Sequence, residues 1–441
     1  MRHLDHSRLS AGEIAARLSD DTLAPADIAH GVIERHARLE PALGAWSWFE
    51  PRQVERAYRD GPAPADPRPC LLGVPVGVKD IIDVADMPTG LGLPGAAAPA
   101  SRHAACVELL RAAGAVPVGK TVTAELAFSH PGPTRNPHLP GHTPGGSSSG
   151  SAAAVAAGMV PLALGTQTGG SVIRPAAYCG VVGIKTSLNA VPSAGVAPVA
   201  DSLDCLGWFT HSVADAILAA RVLLPWRDLA PRPPGNGLRV WRLDATELGP
   251  LAVEARQTLD EASAALRGAG CAVLEAPLAG LLPALAECHR RIMLHELART
   301  LLPILRTRGH ELSAVMLKAI EAGRAVTASQ YQEARHQVRE AHAALDARMR
   351  DIDLILTPSA AGEAPAGLHH TGDSTFNRVW SVLGWPAVHL PTSWSPRGLP
   401  VGVQLVGRQG EDEALLRHAE ALHPLIDRRM PAPRGQAPMA Q

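Results

Sequence analysis

Residues 145–185 read GGSSSGSAAAVAAGMVPLALGTQTGGSVIRPAAYCGVVGIK. This stretch decides the fold class because its character changes several times over a short distance. "AAAVAAG" (152–158) reads as a small-residue helix. "VPLALGTQTGGS" reads as a strand that runs into a glycine turn, and "VIRPAAYCGVVG" resumes a mixed apolar run. Helix, strand and turn following one another in apolar sequence point to an α/β chain.

The same alternation continues on both sides. Residues 8–60 read as two or three amphipathic helices, the first opened by a serine cap in "SAGEIAARL". "GPAPADPRP" (61–69) is a Pro-rich linker, and a strand pair is expected from "CLLGVPVGVKDIID". "AACVELLRAA" (104–113) is helical, with Gly114 placed to stop it, and "AVPVGKT" follows as a short strand. Residues 129–151 form a long loop dense in Pro, Gly, His and Ser, and a loop of that length inside a compact domain is usually functional. Residues 251–350 are strongly helical and charged. "DLILTP" (353–358), "PAVHLP" and "PVGVQLVG" read as buried strands, and the tail 428–441 as disordered.

The chain has 441 residues, 46% of them hydrophobic, which is enough for one large α/β domain or for two or three smaller ones. A net charge of −1 gives no field drawing it to nucleic acid or anionic lipid. "SAAAVAAGMVPLALG" is Ala/Gly-rich, is broken by Pro161, and falls short of the roughly 20 strongly apolar residues of a membrane span. The N-terminal residues carry charges in an amphipathic pattern without a secretory signal, so a cytoplasmic location is expected. Six cysteines without a C-x-x-C pair are expected as free thiols rather than as a zinc site or a disulfide framework.

Only four of the 41 basic residues are lysines: Lys79, Lys120, Lys185 and Lys318. In a chain that otherwise uses arginine, a lysine kept inside an apolar stretch is a candidate for a place where lysine itself is required, the alternative being chance. Burial can drive lysine neutral so that it acts as a base, whereas arginine stays charged. Three of the four sit in such stretches: "GVPVGVKDIIDV", "GAVPVGKTVTAE" and "GVVGIKTS".

Several familiar patterns fail on context. "GAVPVGKT" (114–121) matches a phosphate-binding loop letter by letter, but that loop follows a strand and opens a helix. Here a helix precedes Gly114, and Pro117 removes a backbone N–H that the loop would need. "GSSSG" around Ser148 resembles a nucleophile elbow but lacks the buried strand before it. "HELAR" and "HELSA" each lack the second histidine of a zinc hydrolase.

Two glycine–serine turns remain, "GGSSSG" (145–150) and "TGGS" (168–171), with a lysine upstream. Amide hydrolysis needs a nucleophile, a base, a donor to the leaving amine and a pocket for the oxyanion. Ser171 follows two residues without side chains, which lets backbone N–H groups converge on a carbonyl oxygen. Lys79 can serve as base if buried, and Ser147 can carry protons between the two. Gly–Ser stretches are elsewhere flexible linkers, but linkers are not followed at once by apolar runs.

These same residues closely resemble the signature of the amidase signature family, and the likeness extends over roughly 8–425. "GVPVGVKDIID" matches the family's lysine strand, "NPHLPGHTPGGSSSG" its first serine loop, and "SLDCLGWFTHSVADA" and "LPVGVQLVG" match as well. The 24-residue spacing from Ser147 to Ser171 is also the family's. The resemblance implies Ser171 as acyl nucleophile, Ser147 as a bridging serine preceded by a cis peptide bond, and Lys79 as general base. It implies an oxyanion hole of the N–H groups of Thr168, Gly169, Gly170 and Ser171, with Ser148 supporting the network by hydrogen bonding. The implied fold is one α/β domain: a large, twisted, mostly parallel mixed sheet sandwiched by α-helices. Its organisation would be N-terminal helices over 1–60, a catalytic domain over 61–427 with a helical insert at about 251–350, and the tail. No metal or cofactor is implied. The partner implied is a small-molecule amide, with no nucleic acid or membrane, and a homodimer is compatible.

Many family members carry an acidic residue where this chain has Gln167, and an arginine two residues after the nucleophile where this chain has Arg174 three after it. The pairing resembles the subgroup of malonamidase and similar hydrolases of carboxylate-bearing amides. Arg174, with Gln167 beside it, is therefore expected to face a substrate carboxylate, a natural bidentate partner of guanidinium. The alternative for Arg174 is pairing with protein groups beneath the site. Two other functions remain open: the glutaminase (A-type) subunit of a tRNA-dependent amidotransferase, and a catalytically inactive binding protein. "TFNRVWSVLGWP" (375–386) brings Phe376, Asn377, Arg378, Trp380 and Trp385 together, as core or as pocket wall.

Overall fold

The computed structural model describes residues 9–61, 69–230 and 237–429. Of the expected linker (61–69) and disordered tail (428–441), residues 62–68 and 430–441 lie outside the described residues; Arg428 and Arg429, by contrast, are held in place, Arg428 N–H donating to Thr392 O and the Arg429 guanidinium to Asp427. The first helix, α1 (Ala11–Ser19), starts where the serine signal placed it. Ser10 Oγ accepts from Glu13 N–H, and Glu13 reaches back to Ser10 N–H. Proline opens both α2 (Pro25–Leu43) and α3 (Pro51–Asp60). Between them lies a short strand, β1 (Trp46–Trp48), where the sequence pattern suggested helices alone.

Ten more strands follow: β2 (Pro75–Lys79), β3 (Val116–Thr121), β4 (Leu162–Gln167), β5 (Val182–Lys185), β6 (Cys205–Thr210), β7 (Arg239–Arg242), β8 (Ala272–Glu275), β9 (Leu354–Pro358), β10 (Ala387–Trp394) and β11 (Pro400–Val406). They form one sheet in the order β1-β3-β2-β4-β6-β5-β10-β11-β9-β7-β8. The region 70–83 supplies one strand, β2, rather than the expected pair. The sheet is mixed, as expected, but not mostly parallel. Six of its ten pairings are antiparallel, and four are parallel. The reason is local at β10–β11, where the short 395–399 connection is too brief for the crossover a parallel pair requires.

The remaining helices are α4 (Ala105–Ala112), α5 (Ser149–Ala156), α6 (Ile173–Cys179), α7 (Val213–Leu223), α8 (Val253–Gly268), α9 (Leu281–Thr300), α10 (Leu302–Arg308), α11 (Ala314–Ala325), α12 (Ala328–Arg348), α13 (Thr375–Val382) and α14 (Asp412–Ile426). Strand side chains alternate between two faces, and the core divides accordingly. Leu354 and Leu356 of β9 join one cluster with α8 and α14. Ile355 joins the other, with Leu285 and Ile292 of α9 and Val379 and Trp380 of α13. The sheet is thus covered on both faces. Within 251–350 the expected helices are present, but β8 interrupts them and adds an edge strand to the main sheet.

The site is positioned by the parallel trio β3-β2-β4. Lys79 ends β2 and Gln167 ends β4, so both carboxyl ends open at the same edge, where ligands meet α/β sheets. Helix α5 brings the serine loop against this trio. It approaches so closely at Gly150 that a Cβ there would lie 2.2 Å from Ala45 O and 2.4 Å from Val122 N.

Candidate active site

Lys79 is fully buried at the end of β2. Its Nζ lies 2.8 Å from Ser147 Oγ, 2.8 Å from Thr166 Oγ1 and 3.4 Å from the Thr166 carbonyl. Burial lowers its pKa from 10.5 to about 7; Asp204 pulls it up and Arg174 pushes it further down. An uncharged amine has two N–H groups and one lone pair. Thr166 can take both N–H groups, which leaves the lone pair for the Ser147 hydroxyl.

Ser147 and Ser148 lie in the loop before α5, and the Gly146–Ser147 peptide bond is cis. Both serines are fully buried. The Ser147 carbonyl accepts from Ala124 N–H. Ser148 Oγ donates to the Thr166 carbonyl and accepts from Thr166 N–H, which ties the serine loop to β4. Ser148 therefore braces the network from behind.

Residues 168–171 turn between β4 and α6. Among the described residues, the backbone N–H groups of Thr168, Gly169, Gly170 and Ser171 donate to no protein acceptor. Their carbonyls are engaged: His289 Nε2 donates to Thr168 O at 2.9 Å, Ser381 Oγ to Gly169 O at 2.8 Å, and Arg174 N–H to Gly170 O at 3.0 Å. Thr168 Oγ1 donates to Asp204 Oδ1 at 2.6 Å. The Ser171 hydroxyl has no hydrogen-bond partner among the described residues, so the Ser147–Ser171 step is not closed by a hydrogen bond here. Catalytic contacts of this kind commonly tighten when substrate binds.

Gln167 is spent inside the protein. Its Oε1 accepts from Val172 and Ile173 N–H, and its Nε2 donates to Ser381 Oγ. Arg174 is buried as well. Nε and Nη2 donate to the Gly146 carbonyl at 3.1 and 2.6 Å, and Nη1 to the Gly372 carbonyl at 2.5 Å. Three of its five N–H donors thus brace the backbone beside the cis bond, and no carboxylate stands within ion-pair distance among the described residues. Burial brings its pKa down to about 10.

The 375–386 cluster divides between core and site. Phe376, Trp380 and Trp385 are buried in the core, with the two indoles stacked at 6.4 Å. Asn377 and Arg378 face the turn: a Cβ on Gly170 would lie 2.7 Å from Asn377 Oδ1, and one on Gly169 3.8 Å from Arg378 Cγ. Arg378 is partly exposed, with Nε on Ser374 Oγ and Nη2 3.9 Å from Asp373.

Three lysines of the four, Lys79, Lys120 and Lys185, are fully buried, and Lys318 is exposed. Lys120 pairs with Asp80 at 3.1 Å and donates to Pro88 O and Thr89 Oγ1. "GAVPVGKT" is the loop and strand that follow α4, the reverse of a phosphate loop's order. Asp204, His289, Ser381 and Thr166 were missed in the sequence. Asp204 sits in the matched "SLDCLGWF", and Thr166 directly precedes Gln167; His289, in a charged helix, and Ser381 carry no local signal. Among the described residues no group of three or more His, Cys, Asp or Glu is arranged to hold a metal, and no helix is long and apolar enough to cross a membrane.

The family model described as Amidase matches residues 27–416. The A-type component of the glutamyl-tRNA(Gln) amidotransferase of Thermus thermophilus is 34% identical, over 97% of this chain and 99% of its own length. 2-Amino-5-chloromuconic acid deaminase of Comamonas testosteroni is 29% identical over 96% and 97%. A crystal structure of an amidase superposes with a TM-score of 0.83 at 28% identity, covering 95% of this chain and 100% of that one.

Proposed function

The chain belongs to the amidase family and is an amide-hydrolysing enzyme, and from that premise we propose that it cleaves the C–N bond of a small, carboxylate-bearing amide through Ser171, Ser147 and Lys79. The observation that carries this reading is the buried Lys79 amine, held near pKa 7 and 2.8 Å from the Ser147 hydroxyl. Lys79 takes the Ser147 proton as Ser147 takes that of Ser171. Ser171 Oγ bonds to the acyl carbon, and the oxyanion is met by the N–H groups of Thr168, Gly169, Gly170 and Ser171. The proton returns through Ser147 to the leaving nitrogen, the C–N bond breaks, and ammonia or an amine departs. Water, deprotonated by the same relay, then cleaves the acyl-enzyme to the carboxylic acid.

The carboxylate preference is supported by the guanidinium of Arg378, which is partly exposed beside the turn and close enough to Arg174 to help lower that residue's pKa. The relative from Comamonas is named for an acid substrate, which is consistent with this class. A panel of small amides, read by ammonia release, tests the reading on wild type and Ser171→Ala; turnover retained by the variant sinks the mechanism. The similarity to the Thermus amidotransferase component favours a second reading, a glutaminase working within a complex. Glutamine hydrolysis that appears only with co-purified partner proteins would establish that reading instead.

A further inference from the structure

The 168–171 turn contains two consecutive glycines, and glycine peptide units flip at little steric cost. Something must therefore hold this turn in one orientation if its N–H groups are to meet an oxyanion. In a trans peptide the carbonyl of one residue and the N–H of the next point in opposite directions, and the one cis bond of the described residues lies elsewhere, at Gly146–Ser147. Fixing the Thr168 carbonyl therefore aims Gly169 N–H, fixing the Gly169 carbonyl aims Gly170 N–H, and fixing the Gly170 carbonyl aims Ser171 N–H.

The structure fixes all three. Helix α6 holds the third through Arg174 N–H. Two side chains from a separate layer hold the other two: His289 of α9 on Thr168 O and Ser381 of α13 on Gly169 O. We propose that His289 is a positioning residue of this turn, whose Nε2–H turns the Thr168 carbonyl outward and so presents Gly169 N–H to the acyl oxygen. This deepens the proposed function and rests on its assignment of 168–171 as the oxyanion hole.

The histidine suits the task. It is fully buried, and its ring passes close over the turn, with Cε1 3.4 Å from where a Cβ on Gly169 would lie. A carbonyl oxygen only accepts, so the hydrogen resides on Nε2. Burial, with Arg378 adding in the same direction, brings the ring's pKa down to about 4, so it stays neutral with a single N–H across the working range. A buried histidine bonded to a backbone carbonyl is ordinary; this carbonyl belongs to a turn whose four N–H groups donate to no protein acceptor among the described residues.

The test compares His289→Phe, which keeps a ring without the donor, with His289→Gln, whose amide N–H can reach the same carbonyl. His289→Met is a second donor-free variant in case Phe does not fold. Each is measured for kcat, KM and thermal midpoint, and for the rate at which a fluorophosphonate modifies Ser171, an addition that uses the same N–H groups. Loss of a whole oxyanion donor costs about 100- to 1,000-fold in kcat, so mis-aiming one is expected to lower kcat about 10- to 100-fold. KM should stay within about twofold, the fluorophosphonate rate should fall in parallel, and His289→Gln should recover most of the loss. Folded donor-free variants with kcat within about threefold of wild type overturn the proposal. So does a loss shared equally by His289→Gln, or one confined to KM. Ser171→Ala run alongside separates the two levels. Turnover surviving in Ser171→Ala removes the oxyanion-hole assignment itself, whereas its loss together with a fully active His289→Phe removes only the role of His289.

Discussion

Lys79 Nζ and Ser147 Oγ stand 2.8 Å apart in a fully buried setting that holds the amine near pKa 7. Only the uncharged amine accepts a proton, so kcat/KM for a small neutral amide should rise with pH through about 7 and level off above it. Lys79→Arg, charged at every accessible pH, should lose at least about 100-fold. A pH–rate profile without an acid limb near 7 would remove Lys79 as the base.

The groups around the lysine act on it in opposite directions. Arg174 lowers its pKa and Asp204 raises it. Arg174→Gln should therefore move the acid limb to higher pH, and Asp204→Asn to lower pH. Both variants also disturb hydrogen bonds of the site, so absolute rates will fall; the position of the limb is the informative quantity. Limbs that stay in place would uncouple these groups from Lys79.

Burial of the lysine also leaves a mark on stability. The folded protein binds this proton more weakly than the unfolded chain, so between about pH 7 and 10.5 the unfolded state carries more protons. The contribution of Lys79 to stability therefore worsens as pH falls from 10.5 to 7 and is constant below 7. In urea titrations, Lys79→Met should gain on wild type as pH is lowered across that window and gain no more beneath it.

Arg378 is the cation of the site with the weakest hold on protein groups: one neutral hydrogen bond and a carboxylate 3.9 Å away. Arg378→Ala should raise KM for carboxylate-bearing amides by about tenfold or more and leave neutral amides within about twofold. Arg174→Ala should weaken both classes, because the same guanidinium braces Gly146 beside Ser147. Equal losses on both substrate classes in Arg378→Ala would argue against the carboxylate preference.

Gly150 sits where α5 meets backbone at Ala45 and Val122. Neither contact can yield as a flexible side chain would, so Gly150→Ala should destabilise the protein by about 3 kcal/mol or more. It should also lower activity by displacing the serine loop, as thermal unfolding and amidase assays would show.

The candidate site was legible because its groups are local in sequence. Lys79 and the two serine turns announce themselves by composition, and the lysine count separated Lys79, Lys120 and Lys185 from the exposed Lys318. The α/β class followed from alternation and the single mixed sheet from the family resemblance, but strand directions did not. Apolar runs such as "PAVHLP" carry no record of the neighbour they will pair with, so the antiparallel majority could not be seen. β1 was hidden because three residues cannot display a period. His289 and Ser381 were invisible for a different reason: their roles consist of a partner distant in the chain. Gln167 shows the converse. Its position suggested substrate, while its amide is taken up by Val172, Ile173 and Ser381.

Lys79, Ser147 and Ser171 are all synthesised before the chain has reached half its length, whereas His289 and Ser381, which hold the carbonyls of the turn, emerge much later. On the proposed assignment, a ribosome-bound chain carries its nucleophile and base long before the two side chains that hold the turn. Full hydrolytic competence is then expected only once both α9 and α13 have been added and folded against the turn.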